Sequence, residues 1–133
     1  MTPIHLYQKG VCLVIPPELP VPTGFSWERE YCSKMVLLMM HPFDYVKTMW
    51  RVKTRGEVSI KYYVFNLLQT PQHKALPNPD HTIRIEHFHH DLDELGLMGD
   101  VNLPFIPQKE LCLSTSAMVR RLYSLDFELG DYE

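Results

Sequence analysis

Four of the chain's seven histidines, His81, His87, His89 and His90, fall within ten residues. Read as a strand from His81 to His90, this segment places His87 and His89 on the same face, about 7 Å apart at their Cα atoms. Two imidazoles at that spacing can hold one metal ion, and Glu94 follows with a carboxylate. Two histidines and a carboxylate that leave coordination positions open suit a divalent transition metal such as non-haem iron. The competing reading is a histidine-rich strand edge running into a solvated acidic turn at Asp91, Asp93 and Glu94.

The string His87-x-His89-x4-Glu94 resembles the first metal motif of cupins. That resemblance implies iron or manganese held by these three side chains. Cupins add a further histidine from a later strand, whereas this chain has none after His90. No nucleophile stands out: Ser114, Thr115 and Ser116 lack a GxSxG elbow, and Gly24, Gly56, Gly96 and Gly99 do not form a phosphate-cradling loop. Cys12, Cys32 and Cys112 are odd in number, far apart and flanked by apolar residues. They read as reduced, buried packing residues of a reducing, cytoplasmic-type compartment.

Charge is unevenly spread along the chain. Residues 1–85 hold ten Lys and Arg against six Asp and Glu, a net of +4. Residues 86–133 hold three against ten, a net of −7, and the whole chain is −3. Cations gather at Lys47, Arg51, Lys53, Arg55 and Lys61, with Tyr63 among them. On one sheet face such a group could bind single-stranded nucleic acid, although lysines also guard strand edges against aggregation, and the acidic total opposes phosphate at long range.

The elements that must position these residues are punctuated by eleven prolines. Ile4–Tyr7 and Val11–Ile15 flank Gln8-Lys9-Gly10 and read as a hairpin. Pro16 to about residue 24 reads as an extended, proline-rich arm. Ser26 as N-cap, with Trp27, Tyr31, Met35 and Leu38 at helical spacing, predicts a helix over about 27–40, stopped by Pro42. Alternation on both sides of Arg55-Gly56 predicts a second hairpin over 46–64, with Trp50, Val52, Ile60 and Tyr62 buried and the cations and Tyr63 outward. A closing helix capped at Ser114 or Ser116 would place Met118, Val119, Leu122 and Leu125 on one side.

These elements predict a single α+β domain over 1–133: a small, mostly antiparallel sheet built from hairpins, with about two helices packed on one face. Hydrophobic residues at 45% and charged residues at 22% are ordinary globular usage. The N-terminus does not read as a signal peptide, and the longest apolar run, Met35–Met40, is too short to cross a membrane. The expected function is therefore a soluble, intracellular protein-interaction or assembly subunit: a virion component, a small inhibitor or an accessory subunit. Its partner, protein or another copy of itself, would meet Lys47, Arg51, Lys53, Arg55, Lys61 and Tyr63, with Phe127 and Tyr132 as terminal anchors and Val21 and Phe25 on the arm. The alternatives are a metal-dependent protein using His87, His89 and Glu94, and a nucleic-acid binder.

Overall fold

A computed structural model describes residues 2–67 and 70–133. The chain is α+β, with a four-stranded sheet and five α-helices among the described residues. It forms two compact units: residues 1–40 with 72–103, and residues 41–71 with 104–133. No helix among the described residues is long and apolar enough to cross a membrane.

The first unit holds the sheet. Strands β1 (Ile4–Gln8) and β2 (Val11–Ile15) form the expected hairpin, with Tyr7 opposite Cys12. Lys9 and Gly10 make its turn with φ of 48° and 76°, the positive pair that a two-residue hairpin turn of type I′ requires. Strands β3 (Lys34–Met39) and β4 (His81–Arg84) then add in parallel, in the order β1-β2-β3-β4. The sheet is thus mixed, not mostly antiparallel.

The expected helix over 27–40 is replaced by a loop and β3. The run Met35–Met40 is nearly continuous in apolar residues because a parallel strand in mid-sheet is covered on both faces; Val36 through Met40 are each fully buried. Ser26 starts no helix: its Oγ accepts the Glu28 N–H at 3.0 Å within a local bend. Past β3, the Gln72 side chain stands in for a strand neighbour. Its Oε1 accepts the Met40 N–H at 2.7 Å and its Nε2 donates to the Met40 carbonyl at 2.8 Å. Strand β4 ends at Arg84, so the expected strand to His90 is corrected: a 3-10 turn spans Ile85–His87 and α3 spans Phe88–Glu94.

The second unit is helical. The expected hairpin at 46–64 is instead α1 (Pro42–Thr54) and α2 (Ile60–Asn66). Pro42 starts a helix here; at the first helical position its missing N–H costs nothing. His41 Nδ1 caps the Phe43 N–H at 3.1 Å, and Arg55 closes α1 in the left-handed conformation at φ 57°. Ser59, read as one beat of an alternation, caps α2 through the Tyr62 N–H. Tyr45, Val46, Met49 and Trp50 are buried at helical spacing, and the Trp50 indole N–H donates to the Val58 carbonyl at 2.8 Å. Of the four side chains expected inside, Trp50 and Ile60 are buried, whereas Val52 and Tyr62 are half exposed. The closing helix appears as α4 (Leu113–Leu122), capped at Cys112, followed by α5 (Ser124–Leu129).

Candidate functional site

The richest chemistry in the first unit lies where a loop crosses one face of the sheet. Alternation puts His5 and Tyr7 of β1, Cys12 of β2 and Met35 of β3 on that face, with Tyr7 and Met35 flanking Cys12 in register. The loop over residues 24–33 starts from a tight crossing of two backbones. A Cβ on Gly99 would sit 2.6 Å from the Thr23 carbonyl, and one on Gly24 would sit 2.9 Å from the Gly99 Cα. Gln8 fastens the same place, donating to the carbonyls of Gly24 and Met98 and accepting the Met98 N–H. Ser26 then exchanges two 2.8 Å backbone bonds with Tyr7, and Ser33 returns to the Gly10 carbonyl at 2.7 Å. Between these anchors Arg29, Glu30, Tyr31 and Cys32 join the four sheet residues around an open cavity of about 670 Å³, a size that suits a small ligand.

The floor of this cavity is a connected polar group. Burial pushes the Cys12 thiol up to about 11, with a smaller contribution from the Cys32 thiol that lines the same cavity. Burial also raises the Tyr7 phenol, helped by the neighbouring Cys12, while Arg29 pulls it the other way. His5 Nδ1 lies 3.9 Å from the Cys12 sulfur. All three cysteines are free, but only Cys12 is buried; Cys32 is partly exposed and Cys112 exposed, which corrects the expectation of three packing thiols.

The loop exposes two aromatics on either side of the charged residues Glu28, Arg29 and Glu30. Trp27 is 66% exposed and Tyr31 88%. Met98, at the turn that Gln8 fastens, is also exposed.

The expected metal ligands separate. His87 precedes α3, and His89 on that helix meets the Asp100 carboxylate at 3.3 Å. Among the described residues the donor atoms that gather within 4.8 Å belong to His90, Asp91 and Glu94. Glu94 is shared with the expected set; the pair His87 and His89 is not, because a helical step turns neighbouring side chains about 100° apart instead of alternating them. Asp91 is committed elsewhere. Its Oδ2 accepts the Arg84 backbone N–H at 2.9 Å and Nε at 3.1 Å, and its Oδ1 accepts Nη2 at 3.2 Å.

The expected partner residues distribute over the helices of the second unit. Lys47, Arg51 and Lys53 lie on α1, Arg55 is its C-cap, and Lys61 is the second residue of α2 with its ammonium 6.0 Å from the Phe65 ring. No single sheet face gathers them. Tyr63, expected outward, is 2% exposed, and its hydroxyl has no hydrogen-bond partner among the described residues. Phe127 and Tyr132 pack on His41 at ring-centroid distances of 5.4 and 5.0 Å, and the Arg120 guanidinium covers Phe127 at 5.1 Å. The tail aromatics therefore hold their own unit together.

Cys112 sits where its surroundings favour the thiolate. Bonds from the hydroxyls of Ser114 and Thr115 and from the Thr115 N–H bring it down to about 6. Only the thiolate is nucleophilic. Iodoacetamide should therefore modify Cys112 at a rate that climbs through about pH 6 and then levels, with Ser114→Ala moving the midpoint upward. Cys12 should stay unmodified at neutral pH; equal labelling of the two by peptide mass spectrometry would contradict these environments.

Comparison with family models, with curated proteins and with solved structures finds no match to this chain.

Proposed function

We propose that the chain is a non-enzymatic interaction subunit that docks through the 24–33 loop of its first unit. The observation that carries this reading is the exposure of Trp27 and Tyr31 on a loop fastened at both ends. Tryptophan, tyrosine and arginine are the residue types that most often anchor interfaces, and Trp27, Arg29 and Tyr31 present all three within five residues. A fastened backbone also loses less entropy on binding than a free one.

The partner we infer is a second copy. By charge, the first unit holds five Lys and Arg against nine Asp and Glu, a net of −4; the second holds eight against seven, a net of +1. The loop itself carries Glu28 and Glu30, and the end of α1 offers exposed Arg51, Lys53 and Arg55. Unlike patches meeting between copies form a heterologous contact, which builds a ring or a filament. Long-range charge of this kind contributes mainly to encounter and orientation, while the aromatic anchors supply affinity.

Sedimentation velocity over a concentration series tests this reading. The wild-type chain should self-associate, the paired change Trp27→Ala and Tyr31→Ala should remain monomeric, and Arg51→Glu with Lys53→Glu should weaken assembly most at low ionic strength. A wild-type chain that stays monomeric at high concentration and low salt defeats it.

A further inference from the structure

The histidine-rich segment holds a set of donor atoms that the docking loop does not use. Those of His90, Asp91 and Glu94 gather within 4.8 Å of one another. His90 and Glu94 are one helical turn apart on α3, which puts them on the same side of the helix, with Nε2 and Oε1 3.6 Å apart. A tetrahedral zinc site with bonds of about 2.0–2.1 Å places neighbouring ligand atoms about 3.4 Å apart. The pair is thus close to the spacing at which two ligands share one ion. The other ring nitrogen of His90, Nδ1, lies 3.3 Å from Asp91 Oδ1. Asp91 is 6% exposed and is itself oriented by three bonds from Arg84. A carboxylate on the far nitrogen of an imidazole fixes the tautomer and leaves the near nitrogen's lone pair for a metal. Asp91, Glu94 and Arg84 together put a net charge of −1 around His90, which favours a cation.

We propose that α3 binds one Zn(II) ion through His90 Nε2 and Glu94 Oε1, with Asp91 as the positioning residue on Nδ1. Binding forms one Zn–N and one Zn–O bond, displaces any proton on Nε2, and leaves the remaining positions to water; zinc keeps its oxidation state. His90 and Glu94 are each 67% exposed, so the ion reaches them directly from solvent. His89, the preceding residue, meets the Asp100 carboxylate at 3.3 Å and takes no part. The site stands independently of self-association, since α3 lies outside the 24–33 loop.

The test is competition for Zn(II) against a chromophoric chelator, in a Cys32→Ser, Cys112→Ser background that removes the two accessible thiols. That parent protein should take up Zn(II) stoichiometrically. His90→Ala and Glu94→Gln should each weaken uptake roughly tenfold or more, the least that losing even an outer partner of a metal costs. His89→Ala should leave it unchanged. Ring-nitrogen NMR of the zinc-loaded parent should show His90 metallated at Nε2 and still protonated at Nδ1, the signature of Asp91's hold. Both ligand side chains are exposed, so circular dichroism of their variants should match the parent. The proposal is overturned if the parent takes up no Zn(II), which would leave His90 and Glu94 a plain ion pair. It is equally overturned if either ligand substitution leaves uptake unchanged, if His89→Ala costs as much as His90→Ala, or if the metal sits on Nδ1.

Discussion

Replacing Trp50 by alanine lowers the unfolding free energy by about 3–5 kcal/mol, while replacing Val52 by lysine changes it by less than about 0.5 kcal/mol. The two positions are 200° apart on an α-helix. Trp50 turns inward beside Val46 and Met49 and donates its indole N–H to the Val58 carbonyl. Removing it leaves a cavity and an acceptor without its donor. Val52 turns outward and is 55% exposed, where a lysine stem suits a helix as well as valine does. On a strand the two would share a face and fail together. Denaturant unfolding of both variants decides this: comparable losses at 50 and 52 would contradict α1.

Replacing Asp91 by alanine costs about 3 kcal/mol, at the low end for breaking a buried ion pair. The carboxylate is buried, and Arg84 grips it from backbone and guanidinium, but that guanidinium is 26% exposed and can turn to water when its partner is lost. Burial by itself would raise the Asp91 carboxyl; the bonds from Arg84 and His90 outweigh it and hold the group below the ordinary aspartate range. The sign of the pH dependence follows. A depressed folded-state value contributes stability above the unfolded aspartate value of about 3.9 that is lost as pH falls through the folded value. The gap between the wild type and Asp91→Asn should hold from neutral pH to about 4 and shrink below it. A gap that widens on acidification would show that the carboxyl is not held by this pair.

What the chain revealed in advance divides along physical lines. The first hairpin was legible because its pairing is local and Lys9-Gly10 marks the turn, and with it came the neighbours Tyr7 and Cys12. A helix follows Cys112 as expected, but of the expected apolar stripe only Val119 is buried, and Leu125 lies exposed on α5. The region 42–66 was not, because its β-branched and aromatic residues happen to alternate over the stretch where Tyr45, Val46, Met49 and Trp50 also repeat at helical spacing. Pro42 is compatible with either a helix stop or a helix start, since proline is favoured at the first helical position. The apolar run at Met35–Met40 has no period, so length and flanks alone had to separate a buried strand from a helix.

The site followed the fold in this. A helix over 27–40 would keep Cys32 away from the Cys12 side of the sheet and would not place Trp27 and Tyr31 on an open loop. His87 and His89 were paired by a strand that ends at Arg84. Glu94 kept a histidine neighbour, but that neighbour is His90, four residues back on the same helix at 3.6 Å.

The central claim is that Trp27 becomes buried when copies of this chain meet. The chain has two tryptophans, and Trp50→Phe leaves Trp27 as the sole one while keeping a ring at position 50. In that background, Trp27 emission and its quenching by iodide should be followed from dilute to concentrated protein. The account predicts a shift to shorter wavelength and loss of iodide quenching as concentration rises. Emission that stays red and fully quenchable throughout, alongside a sedimentation profile that shows assembly, would place the contact elsewhere and contradict the docking loop.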